Sequence, residues 1–180
     1  IGNAVDAEGN STDAWGNLIE VKDYFVTEGE VRADNQRESE YTKLLADKIV
    51  ERFHKDNIVL TSHLVAFAAF ELLKHQNTKL DLYGLLRLPT EDYVFSEKVM
   101  TEVIGQLREE LILLEERGEI KLSEQMYWPV EKLIRDGVAR LGNFHVAKPL
   151  RYDKEGHIVS DSFKLLYFYH NRMVGYGLEQ

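Results

Sequence analysis

The sequence predicts a mainly α-helical protein with two small β-hairpin or wing elements and a turn-rich, extended N-terminal segment. From Asn35 onward, apolar residues recur at the three- and four-residue spacing of amphipathic helices. Helix-stop residues such as Gly118 follow the apolar runs. Residues 1–32 instead are rich in Gly, Asp and Asn, which favour turns. We therefore expect a turn-rich segment over 1–32 and a helical domain over 33–180.

Composition limits the kinds of partner. A net charge of −9 argues against a broad nucleic-acid surface, which needs clustered Lys and Arg, so no nucleic-acid partner is predicted. The chain has no cysteine, which excludes disulfides and thiolate metal sites. No apolar run approaches the roughly 18 residues that cross a bilayer, so we expect this chain by itself to be soluble.

The N-terminal segment contains a short repeat of turn formers. Asp6–Asn10 (DAEGN) is echoed by Asp13–Asn17 (DAWGN). Its acidic residues lack the alternating oxygen ligands of a calcium loop, so turn chemistry is the better interpretation. A segment this short has no core of its own, and we expect it to pack on another domain.

Two helices follow. The first runs from Asn35 to about His54 and carries an apolar stripe that includes Tyr41 and Phe53. The second follows Asn57, with Thr61 or Ser62 as the predicted N-cap. This second helix is apolar nearly all round, so it should form the core of the domain.

The remaining pattern alternates helices with short β elements. We expect a short helix over 80–88, a long helix over 96–117 capped by Gly118, and a strand or wing within 119–128. A helix beginning at Pro129, a hairpin around 153–156 and a last helix over 163–178, capped by Ser160 or Asp161, complete the chain. The repeated order of helix and then strand allows two winged-helix-like units in tandem.

No catalytic constellation is evident. No His is followed by an Asp five residues later, and His157 and Asp161, four apart, are better explained as surface polarity plus a helix cap. His63 is better explained as a core or capping histidine than as a catalytic one. His54, His63 and His75 are too far apart for one metal site, so no metal and no cofactor are predicted.

The last helix carries the most concentrated signal, Tyr167 to Arg172 (YFYHNR). These side chains could line a pocket for an acyl chain or a phosphate, with Tyr169, Asn171 and Arg172 as candidate substrate-binding residues. Alternatively, the aromatic residues pack in the core while His170 and Arg172 stay in water.

The same residues resemble the C-terminal end of bacterial glycerol-3-phosphate acyltransferases. Where that family has roughly Tyr-Tyr-Arg-Asn-Asn, Phe168 to Arg172 keeps the second aromatic residue and one Asn and places the Arg two residues later. Asn57 to Leu73 resembles the family's segment in which Ser, Thr or Asn precedes a small apolar helix. Ile1 to Tyr24 looks like the segment that leaves the catalytic domain. The whole is most similar to the enzymes of Bacteroidetes-type bacteria.

The resemblance implies acyl transfer from acyl carrier protein or coenzyme A to glycerol 3-phosphate in phospholipid biosynthesis. The family's chemistry resides in a His-x-x-x-x-Asp dyad and a Phe-Pro-Glu-Gly stretch, and both are absent here, so no catalytic residue is carried over. The chain would be the non-catalytic C-terminal domain, inactive alone. Its parent would lie peripherally on the cytoplasmic side of the inner membrane. The implied partners are the catalytic domain of the same polypeptide and, through the parent, the membrane surface and acyl carrier protein or acyl-coenzyme A.

Two other hypotheses stay open. One is a winged-helix-like protein-interaction module without DNA binding, because the long helix carries acidic residues where a DNA reader needs basic ones. The other, a self-contained enzyme, is the weakest because no base is paired with a nucleophile.

Overall fold

The computed structural model describes residues 26–27, 30–31, 35–91 and 93–178. These residues belong to two compact units, 1–57 and 58–180. The repeat at 6–17 and the predicted boundary after residue 32 lie outside the described residues. Both stay predictions.

The described part of the first unit is a short β-pair followed by one helix. Strands β1 (Val26–Thr27) and β2 (Glu30–Val31) are antiparallel. Helix α1 spans Asn35–Asp56, which confirms the predicted amphipathic helix and extends it slightly. Tyr41 on its apolar stripe is buried, whereas Phe53 is exposed.

The second unit is also mainly helical, as predicted. In chain order it contains β3 (Ile58–Val59), α2 (Thr61–Gln76), α3 (Leu82–Leu85), β4 (Val94–Phe95), α4 (Glu97–Glu116), β5 (Lys121–Leu122), a 3₁₀ turn (Glu124–Tyr127), α5 (Val130–Leu141), β6 (Arg151–Tyr152), β7 (Ile158–Val159) and α6 (Phe163–His170). Within the described residues, no helix combines the length and the apolar character needed to cross a membrane.

Helix α2 is the central element of this unit, as its all-round apolar sequence predicts. It is buried along most of its length and packs against α4, α5 and α6. Gly137 lets α5 approach closely, because a Cβ there would lie 2.6 Å from Val65 Cγ2 and 2.7 Å from the Thr61 carbonyl oxygen. At the same crossing, Thr61 Oγ1 donates to Asp136 Oδ2 at 2.6 Å. The two helices are thus joined by close packing and one specific hydrogen bond.

Two predicted helix caps are wrong. Helix α2 is capped from Leu60 rather than from Thr61 or Ser62, because the Leu60 N–H donates to Nδ1 of His63 at 3.3 Å. The capping interpretation of His63 is thereby confirmed. Helix α6 is capped by Ser162, whose Oγ accepts from the Leu165 N–H at 3.3 Å, and not by Ser160 or Asp161.

The predicted end of the long helix is confirmed. Gly118 follows α4 with φ of 72°, in the left-handed region that favours glycine. Its N–H donates to the Glu115 carbonyl at 2.8 Å, and the Glu119 N–H donates to the Leu114 carbonyl at 3.0 Å. This pair of hydrogen bonds is the Schellman motif, which satisfies carbonyl groups left over at the helix end.

The strand pairings do not form the two winged-helix-like units that the sequence allows in tandem. The strand expected within 119–128 is present as β5, but it pairs in parallel with β3 instead of forming a wing. The predicted hairpin is formed by β6 and β7, and β4 adds to it in the order β4–β7–β6. The strand before α4 and the hairpin after α5 therefore close a single unit over 94–159.

The last helix is shorter than predicted. It ends at His170 instead of Leu178, and residues 171–177 form turns and bends. Gly175 and Gly177 adopt φ of 95° and 74°, which a right-handed helix cannot contain. The aromatic pattern continues past the helix, but these glycines do not support helical backbone.

Candidate functional site

A buried carboxylate–imidazole pair joins α2 to α6. His170 Nε2 lies 2.8 Å from Glu71 Oε1, and each residue is only 5% exposed. Glu71 shares the core-facing side of α2 with Leu64 and Phe67 at helical spacing. His170 likewise follows Phe163 along the buried side of α6. The spacing of apolar residues on both helices thus places two polar groups opposite each other in the core.

A lysine completes the charge balance of the pair. Lys74, one turn further along α2, donates to both oxygens of the Glu71 carboxylate at 2.9 and 2.8 Å. Burial raises the pKa of Glu71, but the hydrogen bonds from His170 and Lys74 outweigh burial and hold this pKa below its usual value. The carboxylate is therefore ionised at neutral pH and stabilised by two donors.

Aromatic rings fix the imidazole in place. The His170 ring stacks on Phe67 with centroids 4.9 Å apart and contacts Phe70 at 4.9 Å and Tyr167 at 5.6 Å. Its Nδ1 lies 3.3 Å from Oδ1 of Asn171. Both ring nitrogens therefore have a partner within the protein. The geometry assigns His170 to holding the two helices together.

An open cleft of about 540 Å³ lies beside this pair. Phe70, Leu80 and Tyr167 contribute apolar surface, whereas Lys74 and His75 contribute nitrogen donors. Because the Lys74 ammonium is already held by Glu71, this lining suits a largely apolar ligand.

The predicted site residues lie around α6 but do not line the cleft. Tyr169 is half-buried, and its hydroxyl is 2.9 Å from Nε2 of His145. Asn171 and Arg172 are exposed just after the helix, and the Arg172 guanidinium lies 5.7 Å from the centre of the Phe168 ring. Their role in substrate binding stays a prediction.

One part of the sequence interpretation is wrong: His170 is not in water. The signal in the sequence was Glu71, a carboxylate that stands between the apolar residues of α2. A buried charge needs a partner, so Glu71 called for a cationic or donor side chain from another element. The sequence does not say which element supplies that side chain.

His157 and Asp161, the pair that comes nearest to a His–Asp dyad in the sequence, are bound to other residues. His157 Nδ1 lies 3.2 Å from Asp153 instead, and Asp161 pairs with Arg151 at 2.8 Å. Asp153, Glu155 and His157 could offer ligand atoms within 4.8 Å of one another. However, the Asp153 carboxylate accepts the backbone N–H groups of both other residues, so these contacts brace the hairpin turn.

His63 occupies a further polar position, at the start of α2. Burial, with a smaller contribution from the charge of Arg172, lowers its pKa from 6.5 to about 4. The neutral ring is also what its contact requires, since Nδ1 accepts a hydrogen bond from Leu60. His63 is therefore a neutral capping group at physiological pH.

Comparison of the chain with protein-family models, with curated proteins and with solved structures gave no match in any of the three.

Proposed function

We propose that this chain is the non-catalytic C-terminal domain of a glycerol-3-phosphate acyltransferase. The parent protein would transfer an acyl group from acyl carrier protein or coenzyme A to glycerol 3-phosphate at the cytoplasmic face of the inner membrane. In that protein the domain would brace the catalytic domain, and its C-terminal end would lie near the substrate.

The observation that carries the proposal is that two of the resembling segments meet in space. Asn57 to Leu73 contains most of α2, and Phe168 to Arg172 includes the end of α6. Glu71 and His170, one from each segment, are 99 residues apart in the chain and joined at 2.8 Å. Segments that belong to one structural unit of a family are expected to pack together in this way.

The side-chain contacts also favour an inactive domain. His170 has both ring nitrogens engaged, and His63 caps a helix. His157 contacts an aspartate of its own hairpin turn. These three histidines therefore serve structure, which agrees with chemistry supplied by another domain.

The gene itself provides the decisive test. Sequencing upstream of the codon for Ile1 should reveal one continuous reading frame that encodes His-x-x-x-x-Asp and Phe-Pro-Glu-Gly. An upstream frame without either motif would refute the proposal. The 180-residue chain, incubated with acyl-coenzyme A and glycerol 3-phosphate, should form no acylglycerol phosphate. Turnover by the chain alone would contradict the assignment as non-catalytic.

A winged-helix-like interaction module is the second candidate, favoured by the sheet order β4–β7–β6 with α4 and α5 inserted before the hairpin. In this arrangement α5, and not the acidic α4, takes the place of a recognition helix. Its exposed charges include Glu131 beside Lys132, and Asp136 neutralises Arg140 at 2.7 Å. This mixture of charges favours a protein partner over DNA. A salt-dependent mobility shift with duplex DNA would contradict that choice.

A further inference from the structure

The turn between α5 and β6 presents apolar side chains to solvent. Phe144 is 85% exposed and Val146 is 102% exposed. Almost none of the chain that the structure describes surrounds these two side chains, so they protrude instead of lining a groove. Exposed apolar surface of this kind is unfavourable in water and is typical of a binding surface.

The turn is held in a defined conformation. The Lys148 ammonium donates to the carbonyl oxygens of Gly142 and His145, and its backbone N–H donates to Asp161 at 3.1 Å. The His145 ring is bound to the Tyr169 hydroxyl at 2.9 Å, which ties the turn to α6. Phe144 and Val146 are therefore presented from a braced turn beside that helix.

Helix α6 adds a basic and aromatic stripe next to this turn. Lys164, Phe168 and Arg172 are all exposed and follow one another at four-residue spacing, which places Lys164 and Phe168 on one side of the helix. Phe168 adjoins Tyr169, the residue that binds the turn, with ring centroids 5.4 Å apart. The apolar turn and the basic stripe thus lie on neighbouring surface.

The charge of this region is opposite to that of the chain. Residues 137–152 and 162–178 contain no Asp or Glu, although the chain carries a net charge of −9. Asp136 and Asp161 neutralise two of the cations, at Arg140 and Arg151. The basic residues in these two ranges are Arg140, Lys148, Arg151, Lys164 and Arg172.

We propose that Phe144, Val146, Lys164, Phe168 and Arg172 form a face that binds the surface of an anionic lipid bilayer. Apolar side chains that protrude can enter the boundary between headgroups and acyl chains. Cations beside them are attracted to headgroup phosphates. A protein partner would need a hollow matched to the two protruding side chains, whereas a fluid bilayer adapts to them.

The test is co-sedimentation of the full chain with vesicles of phosphatidylcholine, with and without phosphatidylglycerol. Binding is expected to require the anionic lipid and to weaken as salt is raised, because salt screens exposed charges. Absence of binding to anionic vesicles, or equal binding to pure phosphatidylcholine, would overturn the proposal.

Variants separate the apolar and the charged contributions. Phe144→Ser with Val146→Ser should lower the vesicle partition constant about tenfold or more, since both side chains lose their apolar contact. Lys164→Gln with Arg172→Gln should lower it about tenfold as well. Matched controls are Leu113→Gln, an exposed apolar residue on α4, and Lys154→Gln, an exposed lysine of the hairpin. Equal losses in the controls would count against this face.

The substituted residues are exposed, so circular dichroism should show an unchanged fold. Capture of the wild-type chain by a soluble acidic polypeptide, without vesicle binding, would assign the face to a protein and overturn the lipid assignment. The inference depends on this face alone. Vesicle binding can be absent while the upstream reading frame supports the acyltransferase proposal. Equally, vesicle binding can be present while the reading frame refutes that proposal.

Discussion

Acidification from pH 7 to pH 5 should destabilise the chain through the capping residue His63. Its Nδ1 accepts a hydrogen bond from the Leu60 N–H at 3.3 Å, and a protonated imidazole has no nitrogen left to accept one. Burial, aided by the charge of Arg172, lowers the pKa of His63 from 6.5 to about 4. The unfolded chain therefore binds a proton near pH 6.5, whereas the folded chain binds it only near pH 4.

The sign and size of the effect follow from these two pKa values. Between them the unfolded state carries more protons, so the free energy of unfolding falls as the pH falls. With pKa values of 6.5 and about 4, the loss between pH 7 and pH 5 is about 2 kcal/mol. Glu71, whose pKa is depressed, loses its contribution only at lower pH, below its usual value of 4.5. The range from pH 7 to pH 5 therefore lies above the pH at which Glu71 loses its contribution.

Urea unfolding followed by circular dichroism at several pH values provides the measurement. The informative variant is His63→Gln, because Gln at this position can still accept the Leu60 N–H and does not titrate. It should lose about 2 kcal/mol less than wild type between pH 7 and pH 5. His75→Gln, at an exposed histidine of the same helix, should keep the wild-type pH dependence. An unchanged slope in His63→Gln, or an abolished one in His75→Gln, would refute the reasoning.

Three further predictions concern stability, each measured as a change in the free energy of unfolding. Glu71→Ala should lower the free energy of unfolding by about 3–5 kcal/mol because it leaves Lys74 and His170 without their shared partner. Glu71→Gln should lower it by less. Equal losses in the two variants would argue against a charge effect. Gly137→Ala should destabilise by about 1–3 kcal/mol, since the new Cβ would lie 2.6 Å from a side chain of α2. At Gly105 on α4, a new Cβ would meet no atom within 4 Å, so Gly105→Ala should instead raise the free energy of unfolding by about 1 kcal/mol. A more stable Gly137→Ala than Gly105→Ala would contradict the packing argument. Gly118→Ala should lower the free energy of unfolding by about 1 kcal/mol because φ is 72° at this position. An unchanged free energy of unfolding would contradict the left-handed conformation of the cap.

Most of the helical architecture was predictable because local signals and burial agree. Helix α4 has one apolar face and a glycine where the left-handed conformation is needed, so both its range and its end follow from the sequence. Helix α2 is buried over most of its length because residues 64–70 are all apolar. Its first residue was not predictable in the same way. Thr61 resembles an N-cap, but its hydroxyl is used by Asp136, a partner 75 residues away.

The features that the sequence did not predict also depend on contacts between residues far apart in the chain. The parallel pairing of β3 with β5 depends on where α4 returns the chain, which no local pattern encodes. Strand β4 is only two residues long, too short for alternation to reveal it. The contacts of the candidate site are equally non-local. Glu71 needed a partner, yet only the packing of α6 on α2 selects His170 over the other histidines.

The aromatic cluster at the end of the chain contains two sets of residues, one that faces the core or the cleft and one that is exposed on α6 and just after it. Phe163, Tyr167 and His170 face the core or the cleft, and their contacts with α2 hold the domain together. Lys164, Phe168 and Arg172 are exposed, and none of the three belongs to the buried core of the described residues. Stability therefore accounts for the first set and leaves the second set to be explained by binding. The variants separate the two roles, because substitution at Glu71 should change the free energy of unfolding, whereas Lys164→Gln should change vesicle binding alone.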